Sequence, residues 1–144
     1  MTSPSLALIN ALTLGVFSGS LLTEAFVLVP FWQSMQPDEF FAKHHDFGSR
    51  LFRYFAPLTI AAAALPVALA VWEGGTNVSA NIAACASLIT LAFFPLYFRK
   101  ANNDFFERRI SNEDLPKHLK TWARVHATRT FVALMAFGAG LYAI

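Results

Sequence analysis

Glu24, His126 and Arg129 stand in or beside long apolar stretches. An ionisable side chain at membrane depth costs roughly 2.5–3.5 kcal/mol or more, so each should face a protein partner or a wet cavity. Trp122, His126 and Arg129 follow at spacings of four and three, which puts them on one helical stripe. Leu119 extends the stripe backwards, and Ala133, Ala136 and Gly140 carry it forward with small residues that allow close helix approach. A stripe buried in that way argues against Arg129 simply snorkelling to the lipid headgroups. Glu24 lies six residues before Pro30, about 9 Å along a helix at 1.5 Å per residue. A carboxylate, an imidazole and a guanidinium at similar depth can hold a proton, pass it on and stabilise an anion. The same three groups could instead serve only to bind helices together.

Other residues add to this polar level. Phe17, Ser20, Glu24 and Phe31 share a face of one helix, and Gly15 and Gly19 permit tight packing beside it. Pro30, Pro57 and Pro95 each free a backbone carbonyl four residues earlier, so acceptors can line a cavity at this depth. His44, His45 and Asp46 suggest a metal cluster, but adjacent helical side chains diverge by about 100°, and no HxxxH or ExxH spacing is present. Metal binding therefore has only His44, His45 and His126 as candidates, with Glu24 as a further ligand, and a two-histidine haem rests on the same residues. Asn102, Asn103 and Asp104 form a polar patch, and Cys85 sits in an apolar run as a packing residue.

The elements that must position these groups follow from hydropathy. The chain has 144 residues, of which 56% are hydrophobic and 14% charged, against roughly a quarter charged in soluble domains. A membrane span needs about 20 apolar residues. Spans are expected at about 6–34, 51–72, 78–106 and 114–144, giving an all-α, four-helix transmembrane bundle in one domain over 1–144. The last helix is read as starting in water, with Asp114 as N-cap and Pro116 in its first turn. The segment from Gln36 to Arg53 reads as a polar connection, and Gly74-Gly75 as a tight turn closing a helical hairpin. Between helices three and four an amphipathic cytoplasmic extension is expected, running through Phe106. Residues 1 to 5 lack the positive start of a secretory signal, so the first span is expected to remain in the chain.

All 11 Lys and Arg residues lie in the first and third connections or at the helix ends touching them. The positive-inside rule then puts both termini and the Gly74-Gly75 turn outside the cytoplasm, in a multi-pass protein of the cytoplasmic membrane. Nothing in the pattern calls for nucleic acid. The partners expected are the bilayer, a lipophilic small molecule, and a homo-oligomer or larger membrane complex. Four helices without a repeat argue against a transporter.

The segments GVFSGSLLTEAFVLVPFW, HHDFGSRLFRYFAPLT, PLYFRKANNDF and WARVHATRT resemble the anthrone-oxygenase-like family of small four-helix membrane proteins. The similarity runs along nearly the whole chain, and Trp122, His126, Arg129 and Thr130 carry its most specific part. The resemblance implies a membrane oxidoreductase or monooxygenase that oxidises an anthrone- or quinol-like aromatic with molecular oxygen as co-substrate. An anthrone enolate can itself give an electron to oxygen, so a base and a hydrophobic cavity suffice without a cofactor. On that view His126 is the base, Arg129 stabilises the enolate and Glu24 orients them. Trp122, Phe17, Arg53, Tyr54 and Asn103 then form the substrate-binding set. The alternative is a non-enzymatic small subunit or binding partner of a larger membrane complex.

Overall fold

The computed structural model describes residues 4–144. Met1 to Ser3, part of the segment read as lacking a secretory signal, lie outside the described residues. Four helices account for nearly all of the chain: α1 Pro4–Ser34, α2 Pro37–Trp72, α3 Val78–Phe106 and α4 Leu115–Tyr142. The first three are long and apolar enough to cross a membrane. α1 packs on α2 and α4, and α3 packs on the same two, so the helices enclose a core between them.

One stretch of core is built from small residues. Ala62, Ala83, Ala86, Ala133 and Ala136 surround Leu14, Phe17 and Leu21. Close approach is closest at Gly140, where a Cβ would meet Leu14 Cδ1 at 2.9 Å. Gly15 is similarly hemmed in by the Phe137 ring at 3.1 Å, whereas Gly19 has nothing within 4 Å. Only the first glycine of the expected pair is therefore used for packing.

Two helices contain a widened turn that their sequences did not announce. A π-turn occupies Glu24–Leu28 in α1, and another occupies Phe94–Phe98 in α3. Each lies at a proline, Pro30 just beyond the first and Pro95 within the second. The first one resets the face of α1. Leu14, Phe17, Leu21 and Glu24 are buried at steps of three and four, and the next buried residue is Val29, five positions on, followed by Trp32. A regular helix would have turned Val29 about 140° from the side that Glu24 faces. Such bulges recur at functional sites.

The polar connection expected from Gln36 to Arg53 is instead helix from Pro37, continuous with the apolar part of α2. The chain breaks at Met35 and Gln36, both extended. Pro37 then supplies a preset first-turn φ, and Asp38 and Glu39 favour the helix N-terminus. Phe40, Phe41, His44 and Leu51 recur on one face, so the charged residues between them form a solvated side rather than a loop. That face meets Trp32, Phe98, Phe105, Leu115, Leu119 and Trp122 in a second, aromatic core. Arg108 closes it from outside, bonding Asp38 and lying over the Phe41 ring at 5.1 Å.

The other expected boundaries shift less. α3 reaches Phe106 through its π-turn. Asp114 precedes α4 but does not cap it; its carboxylate accepts from Ser111 Oγ at 2.8 Å. At the opposite end Gly74 and Gly75 take φ of +65° and +72°, a conformation that requires glycine, and Asn77 caps α3 by accepting from Ala80 N at 3.1 Å.

Candidate functional site

The π-turn of α1 delivers Glu24 to the interior, where its Oε2 lies 3.7 Å from His126 Nδ1 on α4. His126 is fully buried, and its Nε2 lies 3.0 Å from the Leu21 carbonyl oxygen. A carbonyl only accepts, so that contact assigns the proton to Nε2 and leaves the Nδ1 lone pair facing Glu24. Thr130 Oγ1 donates to the His126 carbonyl at 2.8 Å and touches the ring at 3.4 Å. The imidazole is thus held in one orientation, with Nδ1 facing Glu24 but too far from it for a direct hydrogen bond.

Arg129 lies one turn further along α4. Its guanidinium carbon stands 5.2 Å from the Phe98 ring centre and 5.7 Å from that of Phe17. Aromatic faces at this range stabilise a desolvated cation. Thr59 Oγ1 accepts from an Arg129 Nη at 3.4 Å, and Arg129 Nε has no partner in the protein.

These groups border a cavity of about 690 Å³. Its buried wall comes from all four helices, with Glu24 and Trp32 of α1, His44 and Thr59 of α2, Phe98 of α3, and Trp122 and Arg129 of α4. Its exposed lining residues come from α2 and α3, among them Phe52, Arg53, Ile60 and Arg99. The cavity therefore opens between α2 and α3 and is floored by α1 and α4. Its walls are mostly aromatic and aliphatic, with a few convergent polar groups, which is the usual make-up of a small-molecule site.

Of the residues expected to bind substrate, Trp122, Arg53 and Asn103 line this cavity, whereas Phe17 and Tyr54 do not. Phe17 lies behind Arg129, and Tyr54 points along the surface, sharing a 2.7 Å hydrogen bond with Ser20 Oγ. His126 does not line the cavity either. Trp122 stacks on its ring at 5.0 Å, and Phe98 abuts it at 6.2 Å, so His126 reaches a ligand only through Glu24. Glu24, read from the sequence as orienting His126, is the one of the two that lines the cavity.

The histidines do not converge. Among the described residues no three His, Cys, Asp or Glu side chains form a metal-holding group. His45 is exposed and stacked on Phe106, and His44 is buried against Phe40. Rings run in sequence from His44 to Trp32, Trp122 and His126 at 6.3, 5.5 and 5.0 Å, so two tryptophans stand between the paired histidines that a haem would need.

Several contributors were not singled out from the sequence, and Asn102 was read there only as part of a polar patch. Thr59 orients Arg129, Phe98 covers both Arg129 and His126, and Trp32 meets Trp122 edge to face. Asn102 Oδ1 accepts from Trp122 Nε1 at 2.9 Å and so fixes the cavity wall. A signal existed for Trp32, which follows Glu24 by eight residues, a spacing that shares one broad face of a helix.

No family model matches the chain, and neither the curated proteins nor the solved structures contain a significant match.

Proposed function

We propose that this chain is a multi-pass membrane enzyme that oxidises a lipophilic, enolisable aromatic of the anthrone or quinol class with molecular oxygen. The observation that carries the reading is the cavity itself, which puts a carboxylate and a guanidinium on the floor of an aromatic chamber. The resemblance to the anthrone-oxygenase-like proteins supports the same reading. So does the setting: four helices forming one transmembrane bundle, with both termini and the Gly74-Gly75 turn outside the cytoplasm. A cavity opening between α2 and α3 would then admit substrate sideways from the bilayer.

The residues suit the chemistry in a definite order. Glu24 takes a proton from the acidic CH2 of the substrate, and His126 Nδ1 stands behind it. Arg129 holds the oxyanion of the resulting enolate, where Thr59 and two aromatic rings fix it. Oxygen accepts electrons from the enolate, a C–O bond forms, and protonation gives a hydroperoxide. Loss of water leaves the carbonyl. The net change is CH2 plus O2 to C=O plus H2O, with substrate oxidised and oxygen reduced. His126 touches no substrate atom in this scheme and is a positioning residue.

Filling the cavity tests the location. Ala56 is part of its lining. Ala56→Trp should abolish oxygen uptake with an anthrone while the protein still purifies as a folded species. Full turnover in that variant would move the reaction elsewhere.

A further inference from the structure

The cavity carries an excess of positive charge. Arg53, Arg99 and Arg129 all line it, against one acidic residue, Glu24. Elsewhere at this end of the molecule four basic residues are matched, Lys43 with Glu39, Lys100 with Asp104, Arg108 with Asp38, and Arg109 with Asp104 and Glu107, whereas Arg50, Lys117, Lys120 and Arg124 stand outside the cavity without an ion pair among the described residues. Among the described residues the three cavity arginines have no carboxylate in ion-pair range. Arg53 makes only a 3.4 Å contact to the Ser49 carbonyl. Glu24, the one carboxylate of the lining, can offset at most one of the three charges.

The three arginines also differ in place. Arg129 is buried on the floor, while Arg53 and Arg99 are exposed at the mouth. Asn103 stands with them, and both Arg99 and Asn103 also line an adjoining polar hollow of about 310 Å³. The space runs from an aromatic floor to a mouth that offers two planar guanidinium forks. Such forks match the paired oxygens of a carboxylate or phosphate.

We infer that the ligand of this cavity is an anionic amphiphile, with an apolar body against Trp32, Trp122 and Phe98 and a carboxylate or phosphate held at the mouth by Arg53 and Arg99. This deepens the proposed function by naming the class of its substrate, and it rests on that reading only for the cavity being the binding site. Arg129 stays free for the reacting oxygen while the mouth arginines hold the acid group. A neutral aromatic of the same shape would leave both mouth cations unpaired in the occupied site.

Binding separates this inference from turnover. Trp32 and Trp122 line the cavity, so their fluorescence reports occupancy in the purified full chain in detergent. The probes are anthracene-9-carboxylate and its neutral counterpart, 9-anthracenemethanol. The carboxylate should bind roughly tenfold or more tightly, the worth of about one charge-assisted hydrogen bond. Replacing both mouth arginines, Arg53→Gln with Arg99→Gln, should remove that advantage and leave the alcohol unchanged. Arg53→Lys with Arg99→Lys should retain part of it, and melting temperatures identify any variant that fails to fold. Equal binding of the two probes, or a carboxylate preference that survives the double glutamine variant, would overturn the inference whether or not the protein oxidises anything.

Competition identifies the source of the acid group. Displacement of the carboxylate by micelles containing phosphatidylglycerol, but not phosphatidylcholine, would support the inference with a membrane lipid as the ligand. Retention against both would support it with a lipophilic acid as the ligand. Equal displacement by both lipids would count against charge recognition.

Discussion

Replacing His126 with phenylalanine isolates the part played by its two nitrogens. The ring volume and the stack on Trp122, 5.0 Å between centres and 16° between planes, are largely retained. What disappears is the 3.0 Å bond to the Leu21 carbonyl and the Nδ1 partner of Glu24. Burying an acceptor without its donor costs about 1–3 kcal/mol, which corresponds to roughly 5- to 150-fold in the folding equilibrium. His126→Ala adds an empty volume next to Trp122 and Phe98, and large-to-small core changes of this kind cost about 3–5 kcal/mol. The expected order of thermal stability in detergent is parent, then His126→Phe, then His126→Ala. Turnover should fall in His126→Phe even where the protein is folded, because Glu24 has lost the group that faces it. A His126→Phe variant that melts at or above the parent temperature and oxidises substrate at the parent rate would refute both the hydrogen-bond assignment and the positioning role.

Three further outcomes follow from particular contacts. Gly140→Ala places a Cβ 2.9 Å from Leu14 Cδ1 and should lower the melting temperature, whereas Gly19→Ala meets nothing within 4 Å and should raise it by up to about 1 kcal/mol of stability, the helix-propensity gain; the same thermal scans check both. Trp122→Phe removes the donor to Asn102 Oδ1, 2.9 Å away, and should weaken binding of the anthracene probes more than it lowers stability, as read by Trp32 fluorescence and melting together. A cysteine at Gly75, in a protein whose Cys85 is replaced by Ala, should react with impermeant maleimide from the non-cytoplasmic side; labelling from the cytoplasmic side alone would overturn the orientation.

Much of the site could be read from residue spacing, and the failures have identifiable causes. Trp122, His126 and Arg129 do share a buried stripe, and Glu24 does meet His126 across the interface, because polar groups in apolar helices must find one another. A stripe says nothing about which member touches open space. That depends on Trp122 and Phe98 covering His126, a tertiary fact, and so Glu24 lines the cavity while His126 does not. The π-turn at Glu24–Leu28 was equally hidden, since one extra residue in a turn leaves no mark in composition. The helical start of α2 was legible in principle. Phe40, Phe41, His44 and Leu51 have helical spacing, but the seven other charged or histidine residues around them give the segment the hydropathy of a loop. Tyr54 was misplaced for a related reason: knowing its depth does not fix its direction, and it turns to Ser20 on the outer surface.

The most direct test of the central claim is oxygen uptake by the purified protein with an anthrone, comparing the parent with Glu24→Gln at equal amounts of folded material. Glutamine keeps the size of the side chain and removes its ability to take a proton. The expected result is one oxygen consumed per anthrone converted to quinone by the parent, and a rate lower by roughly a hundredfold or more in Glu24→Gln, the usual contribution of a positioned general base. Parent-level oxygen uptake by Glu24→Gln would contradict the assignment of Glu24 as the base and, with it, the proposed chemistry of the cavity.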